Sequence, residues 1–230
     1  YGNWSSDVCS SDLFDAEAPR MAASLFQRGA APERARARSI TAQAARELSR
    51  LLREGGWEVE AVEQALEGEA LAGGFRGTPD LVVKQGRRRA VIDFKWAGAA
   101  HRRDLLEAGG ALQLSAYAHL LQRGTAPDAG YFILSSQRML STSESLAGGQ
   151  AALQGPALSE TWTATGTQWA GRWAEVTGGR LVASAIAGDD EDEDEAAPPA
   201  KTGLNNGTLE VAAPCRFCDY GLVCGLSAGR

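Results

Sequence analysis

The sequence has no run of about 18 apolar residues, so no stretch of it reads as a membrane-crossing helix. It has no basic-then-apolar leader of the secretory kind, and a cytoplasmic setting is expected. No internal repeat occurs, which excludes stacked-repeat architectures. Histidine is scarce: only His101 and His119 are present, and both read as ordinary surface residues. Cysteine is nearly as rare, with Cys9 alone and Cys215, Cys218 and Cys224 crowded near the end. The first residue is Tyr1 rather than Met, as in a fragment of something longer.

The rest is ordinary for a globular chain. At 230 residues, 44% hydrophobic and 23% charged, it can bury one sizeable core with appendages. The net charge of −6 is uneven. Seven acids form the run Asp189 to Glu195, and without them the remainder carries +1. Basic residues cluster at Arg34, Arg36 and Arg38, at Arg87-Arg88-Arg89, and at Arg102-Arg103. Such clusters can meet phosphates, although a solvated surface is the commoner reason for them.

Residues 1–38 show little period and are expected to be disordered or artefactual. Asp7 to Leu13 reads DVCSSDL, which resembles the translation of a common sequencing-library adapter, so no chemistry is built on Cys9. From Ser39 to Arg53, Ile40, Ala44, Leu48, Leu51 and Leu52 recur at helical spacing. Ser39 or Thr41 can cap that helix, and Gly55-Gly56 ends it. Trp57 to Leu66 fits helix or strand. The strand is favoured because Glu67-Gly68 then reads as a turn and Phe75 to Val83 as extended chain. Leu81-Val82-Val83 and Ala90-Val91-Ile92 flank Gln85-Gly86, a short hairpin connection. A helix is expected from about Gly110 to Gln122, or from nearer Arg103, weakened at Gly109-Gly110. Tyr131 to Leu134 reads as a buried strand. Trp169, Trp173 and Val176 read as the core-packing stripe of a third helix, stopped by Gly178-Gly179. Residues 39–187 thus form the core domain, 188–208 an acidic linker and 209–230 a cysteine-rich segment.

Pro79-Asp80 followed by Asp93-Phe94-Lys95 carries the chemistry. Alternate residues of a strand share a face, so Asp93 and Lys95 point one way and Phe94 the other. With Gln85-Gly86 as a two-residue loop, Lys84 pairs with Arg87 and Asp80 falls opposite Val91. Asp93 is then a diagonal neighbour of Asp80 on the same face, roughly 7–8 Å away between Cα atoms. Two carboxylates side by side in an apolar sheet repel and are costly to bury. A divalent cation such as Mg²⁺ removes that penalty, because it prefers oxygen ligands and takes one or two carboxylates. It can then activate water and offset charge on a phosphoryl group, with the Lys95 ammonium beside it. A surface Asp–Lys ion pair is the plain alternative, but the flanking apolar runs favour a buried strand pair.

The stretches GTPDLVV (77–83), AVIDFKW (90–96) and LQLSAYAHLL (112–121) resemble the RecB-type branch of the PD-(D/E)XK nucleases, especially the nuclease domain of AddB-type repair proteins. The resemblance covers about Ile40 to Leu134. It implies a restriction-endonuclease-like α/β fold, a small mixed central sheet flanked by helices. It also implies Mg²⁺ or Mn²⁺ held by Asp80, Asp93 and the Phe94 carbonyl, with Lys95 catalytic. The family's Gln-x-x-x-Tyr element maps onto Gln113 and Tyr117, which share a helix face and would border the DNA. Many RecB-type domains also place a His or Glu on the helix before the sheet. Neither histidine stands there; Glu47 and Gln43 are the available candidates, and Glu63 is a further carboxylate in the preceding strand.

Cys215, Cys218 and Cys224 have the spacing C-x₂-C-x₅-C. Without a secretory leader, three close thiolates point to a metal or cluster over disulfides. The spacing resembles the last three ligands of the iron–sulfur staple of AddB-type nucleases, which implies a [4Fe–4S] cluster in the intact protein. Such a cluster wants four thiolates, and the fourth lies in missing sequence if Cys9 is adapter-derived. Zinc or free thiols are the alternatives. The expected function is Mg²⁺-dependent hydrolysis of DNA phosphodiesters within a helicase–nuclease that processes double-strand breaks for recombination. No Walker motif occurs, so unwinding falls to missing sequence or to a helicase partner. A nuclease-fold module that binds DNA or scaffolds without cutting is the second reading, and a regulatory zinc-ribbon protein the third.

Overall fold

The computed structural model describes residues 10–71, 73–122, 127–149, 151–180 and 201–213. The two β-branched apolar runs become the centre of a five-stranded sheet, because only burial on both faces satisfies their continuous hydrophobicity. In chain order its strands are β1 (Glu58–Val62), β4 (Leu81–Gln85), β5 (Arg88–Lys95), β6 (Asp128–Ile133) and β7 (Arg138–Ser141). The spatial order is β1-β4-β5-β6-β7, with β5 and β6 parallel and the other neighbours antiparallel. A separate hairpin joins β2 (Leu66–Ala70) to β3 (Gly73–Gly77).

Helix α2 (Ala31–Glu54) covers one face, packing Ala44, Leu48, Leu51 and Leu52 on Leu81, Val83, Ala90, Ile92 and Phe132. The other face carries α3 (Ala99–Glu107) and α4 (Leu112–Leu121), whose Leu106, Leu114 and Leu121 meet Val82, Val91, Tyr131 and Ile133. This is the small mixed sheet flanked by helices that the sequence predicts. Helix α5 (Leu158–Thr177) packs against α4. Among the described residues no helix is long and apolar enough to cross a membrane.

Several boundaries differ from expectation, each for a local reason. The hairpin loop is Gly86-Arg87, with Gln85 paired to Arg88, one residue along from the expected loop. Gly86 has φ +60, and a two-residue turn with left-handed backbone at its first central position suits glycine there. Moving the whole loop by one residue shifts the pairing by two, so the facing of every side chain survives. Helix α2 begins at Ala31, eight residues before Ser39, with Pro32 in its first turn. The early segment is ordered from Ser10: helix α1 (Ser10–Met21) lies against α2, and Asp15 takes a two-pronged ion pair from Arg38. Glu67-Gly68 is not a turn. Both residues sit inside β2, opposite Arg76 and Phe75, and the chain reverses after Leu71 at φ +52. The helix expected from about Gly110 to Gln122 is α4 (Leu112–Leu121), and the residues near Arg103 form the separate α3, the two parted at Gly109-Gly110.

The stripe of α5 is not core among the described residues. Trp169 and Trp173 are about half exposed and stack on each other at 6.5 Å, while α5 buries Thr161 and Ala164 instead. His119 likewise stacks on Trp162 at 4.8 Å and is only partly exposed. Residues expected as linker include a short hairpin, β8 (Gly203–Asn205) and β9 (Thr208–Glu210), turned at Asn206-Gly207 as such dipeptides do. The acidic run and all four cysteines, Cys9, Cys215, Cys218 and Cys224, lie outside the described residues.

Candidate active site

Strand β4 starts at Leu81, paired with Ile92, so the next position outward sets Asp80 opposite Asp93. The two acids are therefore directly apposed, closer than the diagonal relation expected from the sequence. The Asp80 carboxylate takes over the ladder where the strand ends: its Oδ2 accepts a hydrogen bond from the Phe94 N–H at 2.6 Å. Buried Pro79 holds the turn into this position, and the Asp80 carbonyl accepts the Glu63 N–H at 3.0 Å.

Asp93 is 2% exposed. It sits on the α4 face, since its neighbours Ile92 and Phe94 pack against α2 on the other side. Its Oδ2 lies 2.5 Å from Lys95 Nζ, yet that buried oxygen has no hydrogen bond of good geometry. Burial pushes the Asp93 carboxyl above its ordinary range; Lys95 opposes this, the nearby Asp80 charge adds to it, and Arg102 opposes it. A buried carboxylate facing a second one, with one ammonium against the first, is an arrangement that a divalent cation completes.

Gln113 and Tyr117 lie one helical turn apart on α4 and are linked, Gln113 Nε2 donating to the Tyr117 hydroxyl at 3.1 Å. That hydroxyl donates to the Thr78 carbonyl at 3.3 Å. The Gln-x-x-x-Tyr element thus braces the segment that delivers Pro79-Asp80. Gly77 makes the approach possible, because a Cβ there would stand 2.6 Å from Tyr117 Cε1.

The two extra carboxylates are not gathered in. Among the described residues no three His, Cys, Asp or Glu side chains converge on a point. Glu47 belongs to α2, on the opposite face of the sheet, where the Arg50 guanidinium at 2.6 Å holds its carboxyl below the usual range. Gln43 lines the same open groove as Glu47. Glu63 adjoins Asp80 through the backbone, but at φ +47 its side chain is exposed. Three arginines of the basic clusters are paired with acids: Arg88 with Asp128, Arg89 with Glu60 and Arg38 with Asp15.

Two residues beside the carboxylates escaped the sequence reading. Tyr131, in register with Asp93 on β6, is 1% exposed, and burial drives its hydroxyl pKa up to about 12, with Arg102 pulling the other way. Arg102 lies with its Cζ 5.3 Å above the Tyr131 ring. The Arg102-Arg103 pair was visible as charge, but only the start of α3 at Ala99 decides which of the two turns inward.

The family model of the PD-(D/E)XK nuclease superfamily matches residues 5–225. The chain belongs to that superfamily, and its mixed sheet with flanking helices is the restriction-endonuclease-like fold. Members of this superfamily are in general metal-dependent nucleases. No curated protein matches the chain significantly.

Proposed function

We propose that this domain hydrolyses DNA phosphodiester bonds with Mg²⁺ or Mn²⁺, held by Asp80, Asp93 and the Phe94 carbonyl. The observation that carries the reading is the apposition of Asp80 and buried Asp93, whose Oδ2 is met by the Lys95 ammonium. When bound, the cation supplies charge to offset that developing on the phosphate and lowers the pKa of water beside it. Lys95 stands 2.5 Å from Asp93, where its ammonium can orient an attacking water and meet the charge on phosphate oxygens. Gln113 and Tyr117 act through position, fixing the Thr78-Pro79-Asp80 turn. Glu47 and Glu63 stay outside this inner set.

The GTPD, DFK and Gln-x-x-x-Tyr motifs together support the RecB-type branch, closest to AddB-type proteins, and with it a helicase–nuclease that processes double-strand breaks. The C-x₂-C-x₅-C spacing of Cys215, Cys218 and Cys224 supports an iron–sulfur staple in the same context. The second reading, a module that holds DNA without cutting it, is favoured by the lack of a third gathered carboxylate among the described residues. Cleavage of linear DNA with Mg²⁺, compared between the unaltered chain and Asp93→Ala, separates the two. Cutting by the first and none by the second is expected. Equal cutting removes the catalytic reading, and binding without cutting by either supports the holding module.

A further inference from the structure

Arg102 has no acid within ion-pair distance among the described residues, although its charge reaches the Asp93 carboxylate. Its backbone N–H donates to the Gly98 carbonyl at 3.0 Å in the first turn of α3, so the side chain springs from just beyond the end of β5. It folds over the same face of the sheet as Asp93 and rests on the Tyr131 ring, and Tyr131 is the register partner of Asp93. The side chain is only partly exposed, and its Nε is buried without a hydrogen-bond partner. Among the described residues no acid lies within ion-pair distance of it, whereas Arg88, Arg89 and Lys84 each have one. A partly buried guanidinium left in this state is costly unless an anion completes it, and its flat fork suits phosphate oxygens. Contact with the Tyr131 ring and hydroxyl holds the fork in place.

We propose that Arg102 is a phosphate-binding residue of this domain, engaging a non-bridging oxygen of the nucleic-acid phosphate seated beside Asp80, Asp93 and Lys95. The inference rests on the nuclease reading for the location of that phosphate. The guanidinium supplies a permanent charge at one fixed place, complementing the compact ammonium of Lys95. Its loss removes one counterion-releasing contact from the bound state.

The test is the binding of a short labelled oligonucleotide, in Ca²⁺ so that affinity is read apart from turnover, across salt from about 50 to about 200 mM. Arg102→Gln is expected to weaken binding about tenfold and to flatten the slope of log affinity against log salt by about 0.7–0.9, the value of one phosphate contact. Arg102→Lys, which keeps the charge, should hold the slope while cutting more slowly, and Arg103→Gln on the exposed side should match the parent. An unchanged slope in Arg102→Gln overturns the proposal. So does a slope lost equally in Arg102→Lys, since that would mark the residue as packing. Absence of binding by the unaltered chain overturns it as well. Failure of the nuclease reading shows separately, as DNA left uncut by the unaltered chain in Mg²⁺ and Mn²⁺ while the slopes remain readable.

Discussion

Replacing Asp93 by asparagine takes a charge out of a place where burial already disfavours it, and the consequences for stability can be worked out. Asp93 is 2% exposed, and burial disfavours its charge by about 1–3 kcal/mol. The Lys95 ammonium at 2.5 Å, 23% exposed, offsets roughly 1 kcal/mol of this. The balance favours the neutral amide by about 1 kcal/mol, or about 2–4 °C in melting temperature for a domain of this size. The sign follows from the raised carboxyl. A group whose folded pKa lies above its unfolded value of 3.8 stabilises the fold below that pH and loses its contribution as pH rises through the folded value. Asp93→Asn should therefore match the parent near about pH 4 and exceed it once the pH has risen past the folded value. Urea unfolding in EDTA across that range measures the difference. Adding Mg²⁺ should then reverse the ranking, because a ligand at about 100 times its Kd stabilises the parent by about 2.7 kcal/mol and the variant little. An asparagine variant that is less stable than the parent at pH 8 in EDTA, or a difference that ignores pH, refutes the reasoning.

Two further outcomes test the surroundings. Gly77→Ala places a methyl 2.6 Å from the Tyr117 ring, so a stability loss of about 1–3 kcal/mol and a fall in kcat of about 10–100-fold are expected; parent-like turnover would show that the brace on Asp80 is not needed. Trp173→Ser, at a residue 53% exposed, should change the unfolding free energy in urea by no more than about 0.5 kcal/mol, and a drop above about 2 kcal/mol would show that parts outside the described residues cover it.

The placement of Asp80, Asp93 and Lys95 was legible because it lies in a local code. Strand alternation alone puts Asp93 and Lys95 together, and the turn chemistry of Gly86 leaves Asp80 on their face whichever of two loop positions is used. The apolar runs of β4 and β5 announced the centre of the sheet by themselves. Periodicity failed where packing is supplied by a neighbour of little hydrophobic contrast. The first turns of α2 hold alanine, arginine and glutamate and are sheltered by α1, whose own sequence carries a proline and scattered polar residues. The aromatic row of α5 misled for the opposite reason: spacing shows that Trp169 and Trp173 share a face, but not whether anything lies against it. Arg102 and Glu47 needed three dimensions, since each depends on which face of the sheet its helix covers.

Asp80 holds the Phe94 amide as well as facing Asp93. An acid with two employments is hard to discard. A descendant that had stopped cutting would still need an acceptor at the ragged end of β4, and asparagine would serve there almost as well as aspartate. Such a decayed lineage should therefore lose Lys95 or Asp93 first, so the presence of an acid at position 80 says less about surviving activity than the pair at 93 and 95.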